Sequence, residues 1–209
     1  MRSLIYKDFA NLKVQGKLYV LIMGIWAVTA WVEKNPSFLG GILAVFSVLI
    51  TITTCAYDER SGWDKYALTM PVGKRELVLS KYVISLLTLA VGMLVFVGLN
   101  LLLQIEPSEF LLLTGIFTAL GLIVMDVVLP IIFRFGTEKG RILLILVFLV
   151  PTVLGLLMEK SSLNLQVSLS ADGMCMLALG LGVILFPVSA YFSLVLYGRR
   201  ELRSQKKDV

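Results

Sequence analysis

The sequence predicts an all-α, polytopic membrane protein, and three observations carry that expectation. Of 209 residues, 58% are hydrophobic and 16% charged, against about half apolar and about a quarter charged in ordinary soluble domains. The apolar residues arrive in six long blocks, with charges confined between them. Those blocks are apolar all round rather than alternating, which excludes β-barrel spans and leaves helices, whose backbones satisfy themselves in lipid.

Residues 1–17 come first. Leu4, Ile5, Phe9 and Leu12 fall on one side of a helix and Arg2, Lys7, Asp8 and Asn11 elsewhere, the pattern of an amphipathic helix lying in the membrane interface. No short apolar core with a small-residue cleavage site follows the start, so no cleaved signal peptide is expected. A helix needs roughly 20 apolar residues to cross about 30 Å of hydrocarbon. The apolar blocks at 18–32, 38–57, 82–105, 110–133, 142–158 and 174–197 meet or approach that length. The first and fifth are short, and snorkelling of Lys17 or local thinning of the bilayer makes up the difference. Gly92, Gly98, Gly115, Gly121, Gly180 and Gly182 lie inside the blocks, where small residues let helices approach closely.

Orientation follows from the loops. One side carries Arg2, Lys7, Lys13 and Lys17; Arg60, Lys65, Lys74, Arg75 and Lys81; Arg134, Lys139 and Arg141; and the tail at 199–209 with Arg199, Arg200, Arg203, Lys206 and Lys207. The other side has only Lys34 and Lys160. The positive-inside rule puts both termini in the cytoplasm. It also accounts for the net charge of +5, so the basic balance implies a lipid bilayer and no nucleic-acid partner. The outer segment 159–172 alternates Leu163, Leu165, Val167 and Leu169 with polar residues, which fits either an amphipathic cap or a plain loop.

Several chemistries are disfavoured. There is no histidine, and Cys55 and Cys175 sit in or beside apolar blocks without metal or disulfide spacing, so both are expected as small buried apolar residues and no metal site is expected. Neither a Ser/His/Asp set nor a Gly-x-x-x-x-Gly-Lys-Ser/Thr phosphate loop occurs. Any ATP-driven work therefore needs an ATPase on another chain. Asp126 is the one ionisable residue deep in a block. A charge there is costly, so it either pairs with Arg134 or a neighbouring helix, or lines a translocation path.

The cytoplasmic loop 57–81 exceeds what a tight turn requires and is dense in charges and aromatics. Trp63, Tyr66, Ala67 and Met70 recur at i, i+3, i+4 and i+7, predicting a short amphipathic helix ended by Pro71. Two uses fit such a helix: docking into a groove of a cytosolic protein, or resting its aromatics at headgroup level.

At these residues the chain resembles the permease subunits of ATP-binding-cassette type 2 transporters, in particular small bacterial exporters whose ATPase is a separate chain. The resemblance rests on the charged amphipathic N-terminal stretch, on Tyr57-Asp58-Glu59-Arg60-Ser61-Gly62-Trp63-Asp64-Lys65-Tyr66 followed by Met70-Pro71-Val72-Gly73-Lys74-Arg75, and on Leu129-Pro130-Ile131-Ile132-Phe133-Arg134-Phe135-Gly136. In architecture it covers the whole chain. It implies that loop 57–81 carries a coupling helix docking into a cleft of a cytosolic ATPase, with Glu59, Arg60, Trp63, Asp64, Tyr66 and Arg75 forming or flanking the contact. It further implies two permeases, identical or paralogous, and two ATPases, with ATP bound by the partner subunit and none by this chain. The expected location is a bacterial cell membrane and the expected cargo an amphipathic or antimicrobial peptide. Drug or lipid efflux is the alternative within transport, and a non-transporting scaffold that recruits a cytosolic partner is the alternative outside it.

Overall fold

A computed structural model describes residues 2–67, 73–104, 106–160 and 171–205. Among them every regular element is a helix, seven in all: α1 (Arg2–Glu33), α2 (Ser37–Ser61), α3 (Trp63–Ala67), α4 (Lys74–Leu102), α5 (Pro107–Phe135), α6 (Thr137–Lys160) and α7 (Ala171–Gln205). Windows at Gly16–Glu33, Ser37–Ser61, Lys74–Leu102, Glu109–Phe135 and Ala171–Gly198 are each long and apolar enough to cross a bilayer. The block at 142–158 lies within α6, a helix of 24 residues. The chain is thus a polytopic, all-α membrane protein.

The helices outrun the apolar blocks because backbone hydrogen bonding does not stop where apolar residues do. α1 runs unbroken from Arg2 to Glu33, so the expected division at residue 17 is absent. No proline stands at that boundary, and one glycine there, Gly16, costs only about 1 kcal/mol in a helix. In its first turns Leu4 and Asp8 are buried against protein, whereas Phe9, on the predicted apolar side, is exposed. Likewise α4 begins at Lys74, after extended Gly73, with Glu76 in its first turn favouring the helix dipole. α2 and α4 thus reach Ser61 and Lys74, well inside the segment 57–81 that the sequence reads as a loop.

α5 is the central helix. It packs most extensively on α7 and also touches α2, α4 and α6, while α1 lies against α2 and α4. The principal core joins Val48 and Ile52 of α2, Tyr82 and Leu89 of α4, Met125, Val128 and Leu129 of α5, Leu144 of α6 and Tyr197 of α7. A second cluster joins Ala30, Leu39, Leu43 and Phe96. The intramembrane glycines are contact points in four of six cases: a Cβ on Gly115 would strike the Cys175 sulfur, on Gly121 Leu89, on Gly182 Leu122, and on Gly92 it would touch Leu43, whereas Gly98 and Gly180 face open space. Both cysteines are buried.

Proline shapes the α5–α7 contact. Pro130 stands inside α5, and without an N–H it leaves the carbonyl of Asp126, four residues back, without its helical donor. Ser189 of α7 donates its hydroxyl to that carbonyl at 2.8 Å. Its proton being so used, Ser189 accepts from the Tyr82 hydroxyl of α4 at 2.7 Å, and Ser193 donates to Tyr82 at 2.7 Å. Each hydroxyl donates once, and the chain of bonds ties three helices together in an otherwise apolar core.

Candidate functional site

The chemistry that sequence reading assigned to loop 57–81 is organised around its root. Asp58, near the end of α2, and Lys81, in the second turn of α4, meet at 2.6 Å. Lys81 also reaches both carboxylate oxygens of Asp8 at 2.9 Å. Lys7 joins Asp58 at 2.6 Å and Asp8 at 3.4 Å. Asp8 is 1% exposed and Lys81 6%, so these are buried ions, tolerable because two cations and two anions cancel and share hydrogen bonds. Positive-inside counting sees Lys7 and Lys81 only as topology signals and Asp8 as a polar-face residue. The signal that points to the cluster is the pair of opposite charges bracketing one loop, at 58 and 81, beside an adjacent Lys-Asp pair upstream.

The loop helix is fastened to that cluster. α2 ends on Gly62, whose left-handed φ of 61° turns the chain and whose N–H caps the carbonyls of Asp58 and Glu59. α3 follows at once. Trp63 is half-buried and packs with Leu4, Ala67 and Leu77, and the Lys7 ammonium stands 4.3 Å from its ring centroid. Lys7 therefore links α3 to the ion cluster. Tyr66 points away and is 65% exposed, and Arg60 and Arg75 are exposed as well. Asp64 lies on α3 with its side chain outside the described residues, and Met70 and Pro71 lie outside them too. The face predicted to dock is thus divided, with Trp63 and Ala67 holding α3 to the protein and Tyr66 presented outward.

Glu59 makes the other fastening. Its carboxylate accepts from the backbone N–H and the hydroxyl of Thr137, at 2.9 and 2.8 Å, capping the first turn of α6 from α2. Gly136, at φ 93° and ψ 171°, occupies a region that is essentially restricted to glycine. A Cβ there would lie 2.8 Å from the Glu59 carboxylate.

Asp126 is 6% exposed, and neither carboxylate oxygen has a hydrogen-bond partner among the described residues. Arg134, eight residues on, is about 12 Å along the helix and stacks instead on Phe135, 4.8 Å from its centroid. The expected pairing with Arg134 does not form. Among the described residues no His/Cys/Asp/Glu group is arranged to hold a metal. The outer stretch 161–170 lies outside the described residues.

The sequence family described as ABC-2 family transporter protein matches residues 3–198. The chain belongs to the ABC-2 transporter family. No curated protein and no solved structure matches it. Membership makes it a membrane permease of an ABC transporter, the transmembrane component rather than the ATPase, and it implies an ATPase partner.

Proposed function

We propose that this ABC-2 permease is one half of an ATP-driven exporter in a bacterial cell membrane. It spans the bilayer six times with both termini cytoplasmic and works with a second permease and two separate ATPase chains. The observation that carries this reading is the fastening of α3. Lys7, Asp8, Asp58 and Lys81 bind the flanks of the loop to α1, α2 and α4, and Glu59 binds the same end of α2 to the start of α6. A push on Tyr66, Arg60 or Arg75 passes into helix ends that move together, because the ion cluster does not stretch cheaply. ATP-driven closure of the ATPases would shift those ends as rigid bodies between two arrangements. Asp64 belongs to the same contact by its place on α3.

The translocation path lies between permease copies, with Asp126 on or near it. A buried carboxylate without partners is the exception among native polar groups, and in a membrane such residues belong to functional paths. Within this reading the favoured cargo is an amphipathic or antimicrobial peptide, ahead of a drug or lipid, because a lateral path between membrane helices suits an amphipathic molecule. Reconstitution of the chain with its ATPase in vesicles tests the reading: ATP hydrolysis should rise with an exported amphipathic peptide. Hydrolysis indifferent to every such peptide would instead favour a scaffold, which has no reason to couple cargo to turnover.

A further inference from the structure

A cleft of about 340 Å³ opens between the end of α2 and the α5–α6 turn, lined by Arg60, Phe135, Gly136, Thr137, Lys139 and Arg141 among others. Its cations outnumber its anions. Arg60, Lys139 and Arg141 face Glu59 and Glu138 there, and the Glu59 carboxylate is already engaged by Thr137. Phe135 is 48% exposed and lies between two cations, with Arg134 at 4.8 Å and Lys139 at 5.0 Å from its ring centroid.

Depth decides what such a cleft meets. One apolar block ends at Phe133 and the next begins at Ile142, so no residue between them is more than four positions from an apolar block. Four residues span about 6 Å of helix, and the headgroup layer on each side of the hydrocarbon is about 5 to 7 Å thick. Arg60 is three positions beyond the block that ends at Tyr57. The cations therefore sit at phosphate level, with an aromatic ring beside them at the depth where aromatic belts lie. A soluble protein approaches from beyond the headgroups, whereas lipid phosphate is already at the mouth of this cleft.

We infer that the cleft formed by Arg60, Phe135, Lys139 and Arg141 binds the phosphate headgroup of an anionic phospholipid, with the Phe135 ring against its glycerol and upper acyl carbons. Occupancy would fix the α2 end against the α6 start, the same two elements joined by Glu59 and Thr137. The inference rests on membrane placement and not on the export reading, so either fails without the other.

The test uses the full chain in mild detergent, titrated with phosphatidylglycerol or with phosphatidylcholine of the same acyl chains, and bound lipid is counted by native mass spectrometry. The expected result is retained phosphatidylglycerol that the paired change Arg60→Gln and Arg141→Gln weakens about thirtyfold, about fivefold per cation. The paired change Lys206→Gln and Lys207→Gln, which removes the same charge from the tail, should leave it unaltered. Arg141→Gln alone, exposed at the rim, should weaken it about fivefold and serves if the double variant does not fold. Equal loss in the tail variant would show diffuse attraction and overturn the site. Displacement of the lipid by millimolar inorganic phosphate would overturn the lipid assignment in favour of the free ion. Lipid retention unchanged in both arginine variants would also overturn it.

Discussion

Lys81 shows how much one side chain holds. It is bonded to Asp8 and Asp58 at once, and removing one member of a buried ion cluster leaves uncompensated charge, a loss of about 3 to 5 kcal/mol. Lys81→Met should lower the detergent melting temperature far more than the change of an exposed lysine such as Lys139, and melting followed by size-exclusion chromatography measures it. Gly136→Ala faces two obstacles, a backbone region that only glycine tolerates and the carboxylate of Glu59. A cost of about 1 to 3 kcal/mol should appear as lower thermal stability, and an unchanged melting temperature would mean the α5–α6 turn differs from this geometry. Asp126→Asn should leave expression and folding intact while altering export, and normal export with normal expression would remove Asp126 from the path. At this scale the sequence was only partly legible. Asp126 stood out because a lone carboxylate in an apolar block is conspicuous, whereas Asp8 did not, because its partners Lys81 and Lys7 are brought to it by tertiary packing. The capping role of Glu59 was equally hidden, since Thr137 is 78 residues away in the chain.

Helix existence is written in local pattern, and helix ends are not. Every apolar block became a helix, yet α1 passed through residue 17 and α4 began at Lys74, because charged residues propagate a helix as readily as leucine does when no proline intervenes. α3 was legible from its periodicity, with Trp63 and Ala67 on one face. Which side that face turned to was not, since a pattern of apolar residues does not distinguish the protein's own surface from a partner's. The structure divides the two aromatics. Trp63→Ala should cost stability, because it removes the ring that packs on Leu4 and Leu77 and receives Lys7. Tyr66→Ala, at an exposed site, should cost less stability than Trp63→Ala and weaken ATPase association. The two variants compared by melting and by co-purification check this division. Equal effects on association with no effect of either on stability would return both residues to the docking face.

For the whole molecule, composition and block length were enough to predict a polytopic helical bundle, because lipid imposes its thickness and its intolerance of unpaired backbone on any sequence that enters it. The family followed from the same large-scale features together with the loop and the α5–α6 motif. Cargo was not legible, because the lining of a path between permease copies is set by an assembly that one chain's sequence does not specify. The central claim is that this permease works through a separate ATPase docked at α3. Purification of the tagged chain from its native membrane in gentle detergent, with identification of co-purifying proteins and an ATPase assay, tests it most directly. The account predicts a stoichiometric partner carrying a phosphate-binding loop and hydrolysing ATP. Recovery of the chain alone, or with a partner that has no nucleotide site, would contradict it.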